Sequence, residues 1–560
     1  MNRPWVKYYD SGVPTTIDYP RIPLYGLLER SAAKFPKRVA INFLGGLITY
    51  EQLNRMADAF AAALVNMGVK KGDRVCIYLP NCPQFPIAYF GALKAGAVVV
   101  PTNPLYVERE LQHQVCNSGA ETIITLTLFY PRVRNIKTQT PLKNVIVTNI
   151  KEYFPPVLKA LFTLAKEKKE GHRVKVEPGV YEFSRLMREF DGRPYDKPAV
   201  DPDDVACLLY TGGTTGVPKG AVLRHSNLLS NAIATRHWLN DIKEGEEVVL
   251  SVLPFFHSYG MTTCLNMGTY IAATLVLLPK FELGQLLSTI NKTKPTLFPG
   301  VPTIYVAINN APDISKYNLK SIRACISGAA GLPVEVQARF EAITGGRLVE
   351  GYGLSEASPV THCNPIYGLR KPGSIGIPFP DTEARIVDLE SGKEVKPAGE
   401  IGELVVRGPQ VMKGYWQMPD ETEAVLRDGW LYTGDIAKCD EDGYFYIVDR
   451  KKDMIIAGGF NIYPREIEEV LYTHPKVKEA VAVGIHDEYR GETVKAYVVL
   501  KEGEASTPEE IIQFCRERLA KYKVPREIEF RNELPKTMVG KILRRILAEE
   551  EAKKRQKSTG

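Results

Sequence analysis

From residue 50 to 67 apolar positions recur at helical spacing, with Leu53, Met56, Ala57, Phe60 and Leu64 on one face. Residues 74–79 then read as a strand, 84–95 as a second helix and 98–101 as the end of another strand. Alternation of strand, helix and strand predicts a parallel sheet covered by helices. The same alternation returns over residues 248–278 and 296–349, so two doubly wound α/β subdomains are expected in the first two-thirds of the chain. Residues 384–406 and 443–448 break into short strands and turns, which predicts a small β-barrel beside them.

After Asp449 the pattern changes. Arg450-Lys451-Lys452-Asp453 is a charged interruption with no apolar residue. Strands are predicted at 477–484, 493–500 and 528–530, a helix at 508–522, and a basic helix from Lys541. This is the pattern of a small α+β domain. The organisation expected is therefore an α/β fold with an N-terminal domain over 1–449, a hinge at 450–452 and a small mobile C-terminal domain over 453–560, its last residues, 551–560, polar and frayed.

Composition narrows the function classes. The 560 residues are 44% hydrophobic and 24% charged, an ordinary globular balance. A net charge of +7 suits an anionic ligand or a membrane surface, and is too small and dispersed to argue for nucleic acid. Nine cysteines form no CxxC pair, which argues against a zinc site or a disulfide framework and for reduced thiols in the cytoplasm. The first residues lack the apolar core of a signal peptide, and no apolar run reaches a membrane-spanning length. Residues 155–169 are set apart, with Leu158, Leu161, Phe162 and Ala165 on one helical face and Lys159, Lys166 and Lys169 elsewhere. Such a helix fits either a peripheral contact with the inner face of the membrane or, the favoured reading, packing on its own domain.

The most informative stretch is Tyr210-Thr211-Gly212-Gly213-Thr214-Thr215-Gly216-Val217-Pro218-Lys219-Gly220. Its four glycines let backbone N–H groups crowd an anion, its three threonines add hydroxyl donors, and Lys219 adds a positive charge. That chemistry holds a polyphosphate. It is not a Walker A loop, because Val217 and Pro218 separate Gly216 from Lys219, and its flanks at 205–210 and 221–223 both read as strands.

Four further segments accompany this loop. Small residues at Gly328, Ala329 and Ala330 follow a predicted strand and let a flat ring approach the backbone. Tyr352-Gly353-Leu354-Ser355-Glu356 places a stacking ring, a hydroxyl and a Mg²⁺-competent carboxylate in a short span. Tyr432-Thr433-Gly434-Asp435 ends in a carboxylate able to accept two hydroxyls, and Pro535 to Lys541 sets a lysine in a glycine-containing loop. Singly, each has an ordinary structural reading as core, turn or solvated surface.

In this order, YTGGTTGVPKG, YGLSE, YTGD, DRKKD and PKTMVGK, they are specific. The chain resembles the acyl-adenylate-forming superfamily over nearly its whole length, and within it the medium- and long-chain fatty acyl-CoA synthetases. The resemblance implies ATP-dependent ligation of a fatty acid to coenzyme A through acyl-AMP, releasing AMP and pyrophosphate. It assigns Thr211, Gly212, Gly213, Thr214, Thr215, Gly216 and Lys219 to the β- and γ-phosphates, Gly328, Ala329 and Ala330 to the wall facing adenine, Tyr352 to the ring stacked on it, and Gly353 and Leu354 beside it to ATP binding. Ser355 stands beside the α-phosphate where the family usually has threonine, Glu356 is the Mg²⁺ ligand, and Asp435 and Arg450 contact ribose. Lys541 is the adenylation lysine, Lys452 the hinge, and Gly458, Gly459 and Phe460 the coenzyme A face of the C-terminal domain. His257, in Pro254-Phe255-Phe256-His257-Ser258, falls at the acyl pocket, and no tryptophan gate follows it, which leaves medium and long chains open. The competing readings are an acyl-AMP ligase that loads a carrier protein and a synthetase for an aryl or short-chain acid. Whether a second copy of the chain is a partner is also left open.

Overall fold

A computed structural model describes residues 3–174, 177, 179–211, 218–457, 460–487, 491–537 and 542–558. The chain divides into two compact units, Met1–Glu383 with Arg407–Leu431, and Ala384–Val406 with Tyr432–Gly560.

The first unit is built on two large sheets. One has eight strands, in the order Gly414–Tyr415, Lys219–Arg224, Val205–Thr211, Val98–Pro101, Arg74–Tyr78, Thr122–Leu126, Asn144–Thr148 and Val180–Glu182. From Val205–Thr211 to Val180–Glu182 the pairing is parallel, and the two strands at the other end are antiparallel. Cys76, Tyr78, Val100, Ile123 and Val145 are buried in its core, as expected of strands covered on both faces. The second sheet runs Gly46–Thr49, Val39–Phe43, Thr274–Leu277 and Val248–Ser251. Parallel bridges through Leu297 extend it to Ala324–Ser327 and Arg347–Gly353, and Val360–Cys363 then pairs antiparallel with the latter.

Local chemistry sets the helix starts. Thr49 caps Tyr50–Asn66: its Oγ1 accepts from the Gln52 N–H at 3.3 Å, and Gln52 Oε1 accepts from the Thr49 N–H at 2.9 Å. The predicted second helix is Gln84–Lys94, buried on every side. Its Lys94 side chain is 1% exposed and pairs with Asp58 at 2.6 Å and Asn54 at 2.8 Å on the first helix, which compensates the buried charge.

A five-stranded sheet includes strands Glu383–Val387, Gly402–Arg407, Trp430–Cys439 and Phe445–Arg450, most of whose residues fall in the second unit, so most of the segment expected to form a small β-barrel groups with the C-terminal residues. A further sheet pairs Phe460–Ile462, Ile455–Ala457, Gly491–Leu500 and Val477–Asp487, with Glu527–Phe530 parallel to Gly491–Leu500. Ile467, Leu471 and Ile511, from helices Pro464–Tyr472 and Pro508–Arg516, pack on Val494, Ala496 and Val498, while Leu534 and Leu547 pack with Val483 and Tyr497. None of the nine cysteines is in a disulfide, and among the described residues no helix is long and apolar enough to cross a membrane.

Two buried histidines make the first unit acid-sensitive. His225 Nδ1 accepts the Leu24 N–H at 3.1 Å, and burial pulls this imidazole down to about 4 from 6.5. Burial likewise pulls His362 down to about 3. Both stay neutral in the fold and bind protons more readily when unfolded, so the stability they contribute is present above pH 6.5 and is lost as pH falls toward 4. Each is expected to remove about 2 kcal/mol of stability between pH 7 and pH 5. Denaturant unfolding at the two pH values, on the parent chain and on His362→Gln, checks this: the variant should show about half the loss attributed to the pair.

Candidate active site

The glycine-rich segment connects two antiparallel strands, as its apolar flanks predict, with Thr211 opposite Lys219 in register. Gly212, Gly213, Thr214, Thr215 and Gly216 lie outside the described residues. The Lys219 side chain is 10% exposed, ion-paired with Glu421 and 5.3 Å from the centre of the Tyr415 ring.

The Gly328-Ala329-Ala330 turn follows strand Ala324–Ser327. Ala329 has φ +68°, and Ala329 and Ala330 are exposed. A Cβ at Gly328 would sit 3.0 Å from the Tyr259 ring, whose hydroxyl donates to the Ile326 carbonyl at 2.6 Å. Glycine there seats the turn on a buried tyrosine. Tyr352 lies near the end of strand Arg347–Gly353, with its ring edge-on to His362 at 5.9 Å. For Gly353 the structure supplies a packing reason, since any Cβ would collide with the Pro359 carbonyl oxygen.

Leu354 leads into a short turn, Ser355–Ala357, that aims two functional groups. Ser355 Oγ lies 3.2 Å from Ser258 Oγ, next to His257, and Glu356 Oε1 accepts from the Tyr415 hydroxyl at 2.7 Å. The His257 ring accepts the Tyr259 N–H on Nδ1 at 3.2 Å, so its proton is carried on Nε2 and that nitrogen is a donor. One row of contacts thus joins Ser258, Ser355, Glu356, Tyr415, Lys219 and Glu421. The sequence points to Ser355, Glu356 and Lys219 in this row and to His257 beside it, but not to Ser258, Tyr415 or Glu421.

A Mg²⁺ ion fits this row. Mg²⁺ in nucleotide sites is held by one or two carboxylates together with phosphate oxygens and water. Among the described residues no cluster of three His, Cys, Asp or Glu forms a self-sufficient metal cage, while Glu356 offers one partly buried carboxylate, hydrogen-bonded to the same Tyr415 side chain that lies beside the Lys219 ammonium.

The second unit holds the remaining candidates. Asp435 and Arg450 are register partners on neighbouring strands, with Asp435 Oδ1 2.9 Å from Arg450 Nε. The Asp435 side chain is 3% exposed, and its N–H is accepted by Thr433 Oγ1 at 3.1 Å. Burial, and then the Arg450 guanidinium, hold the Lys452 ammonium below the usual lysine range. Gly458, Gly459 and Lys541 lie outside the described residues. Phe460 opens strand Phe460–Ile462, and Lys536 pairs with Ile542 just beyond Lys541.

Nearby, Arg544 lies between three carboxylates: Glu468 at 2.5 Å, Asp453 at 3.3 Å and Asp449 at 4.0 Å. Asp449 also accepts the N–H groups of Arg450 and Arg465 at 2.7 and 2.8 Å. This cluster ties the charged interruption at 450–453 to the start of helix Arg544–Ser558. Burial pushes the Asp449 and Glu468 carboxyls up, and Arg544 opposes that shift in both.

Comparison with known proteins shows what the whole chain is similar to. A family model described as AMP-binding enzyme matches residues 28–416, and one described as AMP-binding enzyme C-terminal domain matches residues 466–541. The long-chain-fatty-acid–CoA ligase of Bacillus subtilis (strain 168) is 50% identical over 550 residues, covering 98% of both chains. ATP-bound MatB from Rhodopseudomonas palustris has a TM-score of 0.83 at 29% identity, over 94% of this chain and 99% of that one. The anthranilate CoA ligase AuaEII, solved in complex with anthranoyl-AMP, has a TM-score of 0.83 at 27% identity, over 95% and 97%.

Proposed function

The chain belongs to the AMP-binding enzyme family, and from that premise we propose that it ligates a long-chain fatty acid to coenzyme A through an acyl-adenylate. The observation that carries the reading is the row from Ser355 through Glu356 and Tyr415 to Lys219, which sets a hydroxyl, a carboxylate and an ammonium along one edge of the first unit. In the proposed reaction the fatty carboxylate attacks the α-phosphorus of ATP, pyrophosphate leaves, and the coenzyme A thiol then displaces AMP from the acyl carbonyl. Lys219 and the glycine-rich loop hold the β- and γ-phosphates, Ser355 donates beside the α-phosphate, and Tyr352 stacks on adenine. Mg²⁺ held by Glu356 would neutralise phosphate charge. Asp435 accepts the ribose hydroxyls with Arg450 beside it, and Lys541 bridges the carboxylate and the α-phosphate as charge builds in the transition state. His257 donates from Nε2 to the acyl carboxylate, a positioning contact that needs no proton transfer. Gly458, Gly459 and Phe460 present backbone to the pantetheine arm. Pyrophosphate release across a series of C4 to C18 acids, with and without coenzyme A, tests the substrate class, and a maximum among the long chains is expected.

The proposal includes a membrane contact. Helix Pro156–Ala165 turns Phe162 inward against Phe154 and His172, at ring distances of 5.5 and 5.3 Å, and leaves Val157, Leu161 and Leu164 exposed by 73%, 58% and 85%. Leu161 and Phe162 therefore do not share a face as the sequence spacing suggested. The outer apolar stripe is bordered by exposed Lys159, Lys166, Lys168 and Lys169, the charge pattern that matches an anionic lipid surface. Replacing Leu161 and Leu164 by Glu should abolish co-sedimentation with vesicles containing phosphatidylglycerol and leave turnover of a short, water-soluble acid intact. Unchanged sedimentation would remove this surface from the proposal.

A further inference from the structure

Lys219 and Glu356 are the two groups proposed to meet the triphosphate and its metal, and in this structure both are engaged by one segment, residues 414–422. Glu421, on helix Pro419–Val425, pairs with Lys219, and Tyr415 lies under the same ammonium and donates its hydroxyl to Glu356 at 2.7 Å. The segment is itself well fixed. Tyr415 is in register with Ala221, the Trp416 N–H donates to the Gly220 carbonyl at 2.8 Å, and Thr422 Oγ1 accepts the Tyr415 N–H at 2.8 Å, tying the helix back to its strand.

Resting on the functional reading above, we propose that Tyr415 and Glu421 form a latch exchanged by the nucleotide: Glu421 holds Lys219, and Tyr415 holds Glu356, until MgATP takes over both. An ammonium as buried as Lys219 requires a counter-charge, which a phosphate oxygen supplies in the complex and a carboxylate supplies without it. Glu421 is suited to letting go, because its side chain is 41% exposed and returns to water at small cost. The Tyr415 hydroxyl donates to Glu356 in this structure and gives that carboxylate up when it turns to the metal. Glu421 therefore keeps Lys219 in position and competes with the triphosphate. Tyr415 is a positioning residue for Glu356.

The test is calorimetric binding of ATP to the full chain, with and without Mg²⁺, together with steady-state pyrophosphate release. Glu421→Gln should tighten ATP binding by about fivefold with or without Mg²⁺, with the gain in KM for ATP rather than in kcat, and Glu421→Asp should restore the parent values. Tyr415→Phe keeps the ring under Lys219 and should tighten binding only when Mg²⁺ is present. A general structural role would instead lower the melting temperature and weaken binding in both variants, and that result overturns the latch, as does unaltered binding by Glu421→Gln. The two readings fail separately. A parent chain that adenylates fatty acids alongside an inert Glu421→Gln defeats the latch alone, whereas a parent chain that binds ATP and adenylates no acid defeats the functional reading.

Discussion

Lys541→Ala is expected to lower acyl-AMP formation about a thousandfold while leaving thioester formation from supplied acyl-AMP within a few-fold of the parent. The rate-limiting charge in the first half-reaction develops on the α-phosphate oxygens as the carboxylate adds. A unit positive charge about 4 Å away contributes of order 4 kcal/mol at an effective dielectric near 20, which is roughly a thousandfold in rate. The second half-reaction discharges AMP, which already carries that charge, so the same amine gains nothing there. Single-turnover measurement of acyl-AMP from ATP, and of thioester from synthetic acyl-AMP, separates the two steps. Equal loss in both would assign Lys541 to folding or general binding.

Lys452→Pro is expected to do the opposite, sparing adenylation and slowing thioester formation on the order of a hundredfold. The family reading places the hinge here, and the surroundings suit a pivot that is anchored on either side. The Lys451 N–H donates to Gly434 at 2.9 Å and the Asp453 N–H to Arg450 at 3.0 Å, and proline at 452 fixes the torsion between these two bonds and restricts residue 451 as well. The Arg544 cluster with Asp449, Asp453 and Glu468 must be rearranged if this segment is to turn, which makes it the energetic counterpart of the pivot. Lys452→Ala removes the charge without the torsional restriction and is the control. If the alanine variant loses thioester formation as severely as the proline variant, the effect belongs to the ammonium and not to rotation.

The features legible in the sequence are those whose causes are local. The strands around the glycine-rich segment could be read at 205–210 and 221–223 because apolar runs and a glycine break are sufficient to specify a strand end, and they occur at Val205–Thr211 and Lys219–Arg224. The closeness of ring, hydroxyl and carboxylate at Tyr352, Ser355 and Glu356 is legible for the same reason, since they fall within five consecutive residues. What could not be read depends on partners far along the chain. Glu421 meets Lys219 across 202 positions and Tyr415 meets Glu356 across 59, so no spacing rule brings them together. Gly353 resembles a nucleotide contact in sequence, and only the proximity of Pro359 shows that packing already demands glycine. The grouping of residues 384–406 with the C-terminal unit follows from strand pairing with residues beyond 430, and the rotation of helix Pro156–Ala165 is set by Phe154 and His172 outside its own periodicity.

The central claim is that this chain joins a fatty carboxylate to AMP before coenzyme A takes part. Exchange of labelled pyrophosphate into ATP, measured with Mg²⁺ and palmitate and with coenzyme A omitted, tests it most directly. The account predicts exchange that depends strictly on the fatty acid and disappears in Lys541→Ala. Absence of exchange with every acid from C4 to C18, or release of ADP in place of AMP once coenzyme A is added, would contradict it.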